Sequence, residues 1–555
     1  MKLRSLLPEG SVWVEPGDFE VAPAVWGDAG AVTAAAVPAI VVGRTGDFAL
    51  RGFVARDRYG VSGVGVKVGI LSDSFNVKGA MAADIAAGAL PANVTILKEG
   101  ASGADEGRAM AELVHKVAPG ADIYFYTAFS GQADFANGIL ALASAGCDVI
   151  VDDVGYFAEP FFQVGSAIDK AIDTVVSMGV SYFTAAGNEG EDFYESRFNG
   201  YSLHLPGLKG NYVAQNFSPA GAPSPYQSVT VPVGDKLLFN LQWDEPFASI
   251  GAGHAAANSL GMVLYDASNH IVARVMHNDV GTDPTQTLSF TNTTASTSFR
   301  LAIVANGGTT TPGLFKYISL SSGGVVVNDP NFGVGSGSSY GHTLLASANS
   351  VGAIAAADAP TRGGSGQVEY FTSAGPGTIL FDASGARLAS PLSAGKVDFV
   401  APDGVMTDVF KPFYGTSAAA PDAAGVAALM LEAKPGLSPA QVTSILKASA
   451  IAVTGPANTT GAGLIQAPAA VKLALATVPA ADTASFGPLA FAVAPGWVIG
   501  GDLLRAAVAA VDADPAASGF WVDLEPEAAA WLAASPGGAT AAAAAEDMSL
   551  LFAPV

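Results

Sequence analysis

The sequence predicts an α/β protein with a central parallel sheet, interrupted by an inserted β-sandwich. Three observations predict it. Apolar strands alternate with helical segments through short loops from residue 64 to residue 185, the pattern of a parallel sheet covered on both faces. From about Asn199 to Leu320 the helical periods vanish and short alternating strands recur, which suggests a sandwich of roughly a hundred residues. The α/β pattern then resumes at Ser350-Val351-Gly352-Ala353-Ile354-Ala355.

In chain order, residues 1–60 carry Gly, Ala and Pro without a period and read as an irregular leader or arm. Residues 64–71 (Val-Gly-Val-Lys-Val-Gly-Ile-Leu) read as a buried strand, because apolar side chains run almost continuously. A helix follows from Gly107 to Val117, closed by Pro119-Gly120, then a strand at Ile123-Tyr124-Phe125-Tyr126. Helices at 135–145 and 164–178 alternate with strands at 149–151 and 181–185. In the insert, Ser228 to Val233, Lys236 to Leu241, Gly261 to Tyr265 and Phe299 to Val304 read as strands. A tightly packed helix opens at Ser417, and helical patterning ends near Leu475. The expected domains are 1–60, a leader; 61–200 and 335–475, two parts of one α/β domain; 201–334, the insert; and 476–555, an Ala-rich region.

Composition narrows the function. Lys and Arg number 26 against 49 Asp and Glu, a net charge of -23, which argues against nucleic acid or an anionic membrane as partner. No apolar run is long enough to span a membrane. Cys147 is the only cysteine and reads as a small core residue rather than a nucleophile. The amino terminus begins like a signal peptide but lacks its apolar segment, whereas Glu546 to Val555 sets acids before an apolar tail, as a type I export signal does. No His, Cys and acid cluster has zinc-ligand spacing; calcium ligands scattered over loops stay open. No cofactor is expected, and the expected partners are protein or peptide substrates of a monomer.

The chemistry concentrates in Gly415-Thr416-Ser417-Ala418-Ala419-Ala420-Pro421. A glycine permits a sharp turn, the serine sits where a helix begins, and small residues let that helix enter the core. An ordinary helix capped by Thr416 or Ser417 is the plainer alternative. Three further segments agree with a nucleophilic serine. Ile70-Leu71-Ser72-Asp73-Ser74 places an acid at a strand end, Asp105-Glu106-Gly107-Arg108 opens a helix, and Ala185-Ala186-Gly187-Asn188-Glu189-Gly190 follows a strand.

With these segments in this order the chain resembles the subtilisin-like serine peptidases, with the sedolisins as structural cousins, over roughly residues 60–200 and 335–475. The resemblance implies a three-layer subtilisin-like fold and peptide hydrolysis. It also implies Ser417 as nucleophile, Asp73 as catalytic aspartate and Asn188 as the oxyanion donor. Glu106 stands where the subtilisin family has histidine. A free glutamate titrates near about 4.3 and histidine near about 6.5, so Glu106 needs a neighbouring carboxyl such as Asp73 to raise its basicity. Sedolisins use a glutamate base, but take the supporting aspartate one helical turn further on, where this chain has Met110, and use an aspartate in place of Asn188. An acid-favouring peptidase is the expectation.

Asp153 is expected to face Ser417 and hold a proton near it, while Asp152 is expected to be a solvated strand cap. His115 lies about two and a half turns beyond Glu106 and reads as a satisfied helix-end residue. His342 could approach the cleft as a substitute base. Against the peptidase reading stands a pseudo-peptidase, a protein-binding module that lost its base when histidine became glutamate. A surface adhesion protein led by the β insert is the third reading, and the insert shows no aromatic platform for it.

Overall fold

The computed structural model describes residues 46–477 apart from 219, 220, 252, 322 and 323. The leader at 1–45 with its signal-like start, and the Ala-rich region from 478 with its export-like tail, lie outside the described residues.

Seven strands form the central sheet: β1 (Lys67–Ser72), β2 (Val94–Lys98), β3 (Asp122–Thr127), β4 (Val149–Asp152), β5 (Ser181–Ala185), β6 (Ala348–Ala355) and β7 (Phe399–Asp403). Their order is β2-β3-β1-β4-β5-β6-β7 and every pairing is parallel. The helices are α1 (Gly46–Leu50), α2 (Gly52–Tyr59), α3 (Met81–Ala87), α4 (Glu106–Val117), α5 (Gln132–Ser144), α6 (Ala167–Ser177), α7 (Thr416–Ala433), α8 (Pro439–Ser449), α9 (Ala457–Thr460) and α10 (Ala467–Ala476).

Strand alternation sorts the core into two layers. Val68 and Ile70 of β1, Val149 and Val151 of β4 and Phe183 of β5 pack with α4, α7, α8 and α10. Leu71, Ile150 and Tyr182 point the other way and pack with α5 and α6. Three layers result, and both sheet faces are buried, which is why these strands read as apolar runs.

The segment read as an irregular leader contains α1 and α2. Ala49, Leu50 and Ala55 are buried in the larger core, and the Arg56 guanidinium donates to Val117 O at 2.7 Å while pairing with Asp47 at 2.7 Å. Their order comes from these tertiary contacts, which no local period announces. Strand β2 and helix α3 also escaped the sequence reading. Strand β2 lies at the sheet edge with no buried side chain, and Asp84 is the one buried residue of α3.

The insert is two antiparallel sheets. In one, Thr285–Thr291, Lys236–Trp243, Leu314–Ser319 and Phe193–Arg197 lie side by side; in the other, Ser259–Tyr265 and Ser298–Gly307 are central. Its strands begin at Phe193, within eight residues of β5. Phe239, Leu241, Trp243, Phe315, Tyr317, Leu260 and Ile303 fill the space between the sheets. A second apolar cluster, including Phe157, Phe161, Phe193, Leu238, Ile318 and Tyr340, welds the insert to the loop after β4. The weld is polar too: Phe161 N donates to Gln242 Oε1 at 2.8 Å and Gln242 Nε2 to Glu159 O at 2.8 Å.

Candidate active site

A parallel sheet sets the carboxyl ends of all its strands along one edge, where loops are free to carry chemistry. Asp73 follows β1, Asp153 follows β4, Asn188 follows β5 and Asp403 ends β7. Ser417 and Glu106 each sit in the first turn of a helix, α7 and α4, and these two helices pack against one another.

The Gly-Thr-Ser turn is built backbone first. Gly415 has φ 101°, a conformation that side chains resist, and its N–H donates to Asp403 Oδ2 at 2.9 Å. Burial, with Glu369 nearby, pushes the Asp403 carboxyl well above its ordinary value. Asn188 Oδ1 accepts from Thr416 N and Thr416 Oγ1, both at 3.0 Å. The acceptor end of the amide is thus committed to the turn, and Nδ2 is the end left to donate. Thr416 Oγ1 also accepts from Gly187 N at 3.2 Å. Ser417 is buried and its Oγ has no hydrogen-bond partner among the described residues.

A group of acids gathers at the ends of β1 and β4 and the start of α4. Asp73 Oδ1 accepts from Glu106 N at 2.9 Å, and Oδ2 accepts from Ala104 N. Asp73 therefore grips the backbone at the start of α4 rather than the Glu106 carboxyl. Burial and then the Glu106 charge push the Asp73 carboxyl up to about 6, although three backbone N–H groups work against the shift. Asp153 is pushed well above the ordinary carboxylate range by burial, then by Glu106 and Asp73. Glu106 thus has carboxyls as neighbours in both directions. Asp153, expected to face Ser417, feels the charges of Glu106 and Asp73.

The other sequence candidates lie elsewhere. Asp152 is no solvated cap: it is fully buried, accepts from Thr184 Oγ1 at 3.0 Å and lies 3.3 Å from His342 Nε2. The second His342 nitrogen, Nδ1, lies 2.7 Å from Glu159 Oε2. Both ring nitrogens are committed to acids on the α5–α6 side of the sheet, so His342 is a structural residue. Adjacent strand residues point to opposite faces, which separates Asp152 from Asp153. His115 is not satisfied at the helix end: its Nδ1 is buried without a partner among the described residues, and burial followed by the Lys116 charge holds the ring below its usual value. Cys147 is buried, its thiol pushed up to about 12 by burial. Among the described residues no His, Cys, Asp and Glu group is arranged to hold a metal ion, and no helix is long and apolar enough to cross a membrane.

The sequence model of the subtilase family matches residues 79–463, more than half of the chain and a span that includes Glu106, Asp153, Asn188 and Ser417. The chain belongs to the subtilase family. This subtilase is therefore a serine peptidase of subtilisin-like fold. It is similar in structure to the Clostridium perfringens CspB protease, at 13% identity and a TM-score of 0.46, over 78% of this chain and 99% of that one. A lanthipeptide protease matches at 14% identity and 0.38, over 79% and 97% of the two chains. A protease from Pseudoalteromonas arctica matches at 15% and 0.36, over 78% and 95%. No curated protein sequence matches the chain.

Two acids beside these residues are not among the sequence candidates: Asp403, whose bond to Gly415 N is visible only once the turn is formed, and Asp105, the residue before Glu106.

Proposed function

We propose that this subtilase is an endopeptidase in which Glu106 takes the proton of Ser417, and that it works best in acid. The observation that carries the reading is the company of Glu106: two buried carboxyls, Asp73 and Asp153, both displaced upward. Neither His342 nor His115 serves instead, since His342 is bound to acids on the far face and His115 lies further down α4.

The chemistry is consistent with that company. When a histidine base accepts a proton it becomes a cation, and an ionised aspartate must balance it. When Glu106 accepts a proton it becomes neutral, so a protonated neighbour suffices. Ser417 Oγ attacks the scissile carbonyl and its proton passes to Glu106. The oxyanion receives Asn188 Nδ2–H and the Ser417 N–H, a first-turn donor with no carbonyl inside its own helix. Glu106 then returns the proton to the leaving amine, and water releases the acyl group by the same route. Ionising Asp73 would add negative charge beside the forming oxyanion, so activity should fall as pH rises through about 6. The substrates are proteins or peptides met by a monomer; the charge of -23 disfavours nucleic acid.

The test is cleavage of fluorescein-labelled casein from acid to mildly alkaline pH by wild type, Ser417→Ala, Glu106→Gln and Asp73→Asn. Serine-dependent cleavage with an alkaline limb near 6, lost in Glu106→Gln and displaced in Asp73→Asn, is expected. Full activity of Glu106→Gln would remove the base assignment. Wild type no better than Ser417→Ala at every pH would make the protein a binding module.

A further inference from the structure

Asp105 immediately precedes Glu106 and occupies the position that would cap α4. Aspartate is a favoured cap, folding its carboxylate back onto the first helical N–H groups from an extended backbone. Asp105 does neither. Its φ and ψ are 63° and 36°, in the left-handed region, and its side chain makes no cap hydrogen bond. Only three non-glycine residues among those described have positive φ, and the other two are Arg51 and Asn269. A strained residue persists only where its surroundings over-determine it.

Those surroundings are specific. Asp105 is fully buried. Its Oδ1 accepts from Ser74 Oγ at 3.0 Å and Val77 N at 2.8 Å; its Oδ2 accepts from Lys78 N at 3.0 Å and Arg108 Nη2 at 3.2 Å. Arg108, also buried, donates through Nε to Phe75 O at 3.0 Å and pairs through Nη1 with Asp84. The backbone is seized as well: Ser74 Oγ accepts from Asp105 N at 2.9 Å, and Gly107 N donates to Ser74 O at 3.1 Å. A side chain at Gly107 would come within 2.3 Å of the Phe125 ring, so the segment can press against β3 only as glycine. With Asp73 holding Ala104 N and Glu106 N, residues 104–107 are clamped to the loop after β1 from both sides.

We infer that Asp105, locked by Arg108 and the loop after β1, is the positioning residue that aims Glu106. The inference rests on Glu106 being the base. Its left-handed turn rotates the first residue of α4 out of the orientation a capped helix would give it, and the buried ion pair prevents relaxation. Aspartate and not glycine is required, because glycine accepts the conformation without enforcing it.

The experiment compares kcat and KM on fluorescein-labelled casein for Asp105→Gly, Asp105→Asn, Arg108→Lys and Glu106→Gln, each checked for folding by circular dichroism. Asp105→Gly should lower kcat by about 100-fold with KM little changed, the size of effect that a misplaced catalytic group produces. Asp105→Asn tolerates the left-handed turn and keeps an acceptor, so it should recover part of the loss. Arg108→Lys keeps the charge but not the fork, and should cost kcat about tenfold. Wild-type kcat in folded Asp105→Gly, with Glu106→Gln inactive, overturns the positioning role alone. An active Glu106→Gln overturns the base assignment instead. If Asp105→Gly does not fold, Arg108→Lys decides, and wild-type kcat there overturns the role.

Discussion

Asp152 and Asp153 are neighbours at the end of one strand, both buried, and they live in opposite electrostatic worlds. Asp152 faces an imidazole held between it and Glu159. Burial works against charge on His342, yet Glu159 and Asp152 reverse that and hold the ring charged well above its usual range. Asp153 meets the charges of Glu106 and Asp73 instead, and burial followed by these two like charges pushes its carboxyl well above the ordinary range. Depth is the same on the two faces. What differs is the sign of the neighbour, and that separates a brace from a cluster of like charges. The brace also reaches outward, since the loop that carries Glu159 is gripped by Gln242 of the insert.

The largest expected effect lies on the braced face. His342→Gln would leave Asp152 and Glu159 opposed in the core without their cation, with Tyr182 and Asp169 close by. Breaking a buried ion cluster of this kind costs ~3–5 kcal/mol, measurable by urea unfolding at neutral pH. A loss below ~1 kcal/mol would mean that the two faces do not differ as described.

Next comes pH. Asp73 is raised from 3.8 to about 6 in the folded state, so its contribution to stability is fully present below 3.8 and lost as pH rises through about 6. The loss should be ~3 kcal/mol and should disappear in Asp73→Asn. His342 is raised too, but from 6.5, so its contribution survives neutrality and is lost only on the alkaline side. Urea titrations at pH 4, 7 and 9 should show two separate decrements, the first reduced by Asp73→Asn, with Asp153, Asp192 and Asp279 supplying the rest, and the second reduced by His342→Gln. A single decrement common to both variants would merge the two clusters.

The smallest effect sharpens the contrast. Asp152→Asn should cost ~1–3 kcal/mol of stability and leave the pH–rate profile in place, because it weakens the brace alone. Asp153→Asn should change stability by under ~1 kcal/mol while moving the alkaline limb of casein cleavage. The reverse pattern would exchange the roles of the two residues.

Much of this could be read along the chain. The Gly-Thr-Ser turn before an Ala-rich helix, the strand ending at Asp73, the helix opening at Glu106 and the segment around Asn188 are local patterns, legible because each is set within a few residues. The alternation of strands and helices was legible for the same reason. Helices α1 and α2 were not, since their order comes from contacts with residues such as Val117. The burial of Asp152 was not legible, because strand alternation states that Asp152 and Asp153 oppose one another, but not which face holds a histidine from a segment 190 residues away.

By itself, then, the sequence determined which residue types stand at each strand end and helix start, that a glutamate opens α4, and that a run of β-strands interrupts the α/β pattern. These follow from propensity and short-range periodicity. Tertiary structure alone decided that Asp73 binds the backbone of Glu106, that Asp105 abandons its cap for a buried arginine, and that His342 braces rather than catalyses. Each of those depends on which charge a buried side chain meets across the fold, where low dielectric makes the partner's sign decisive.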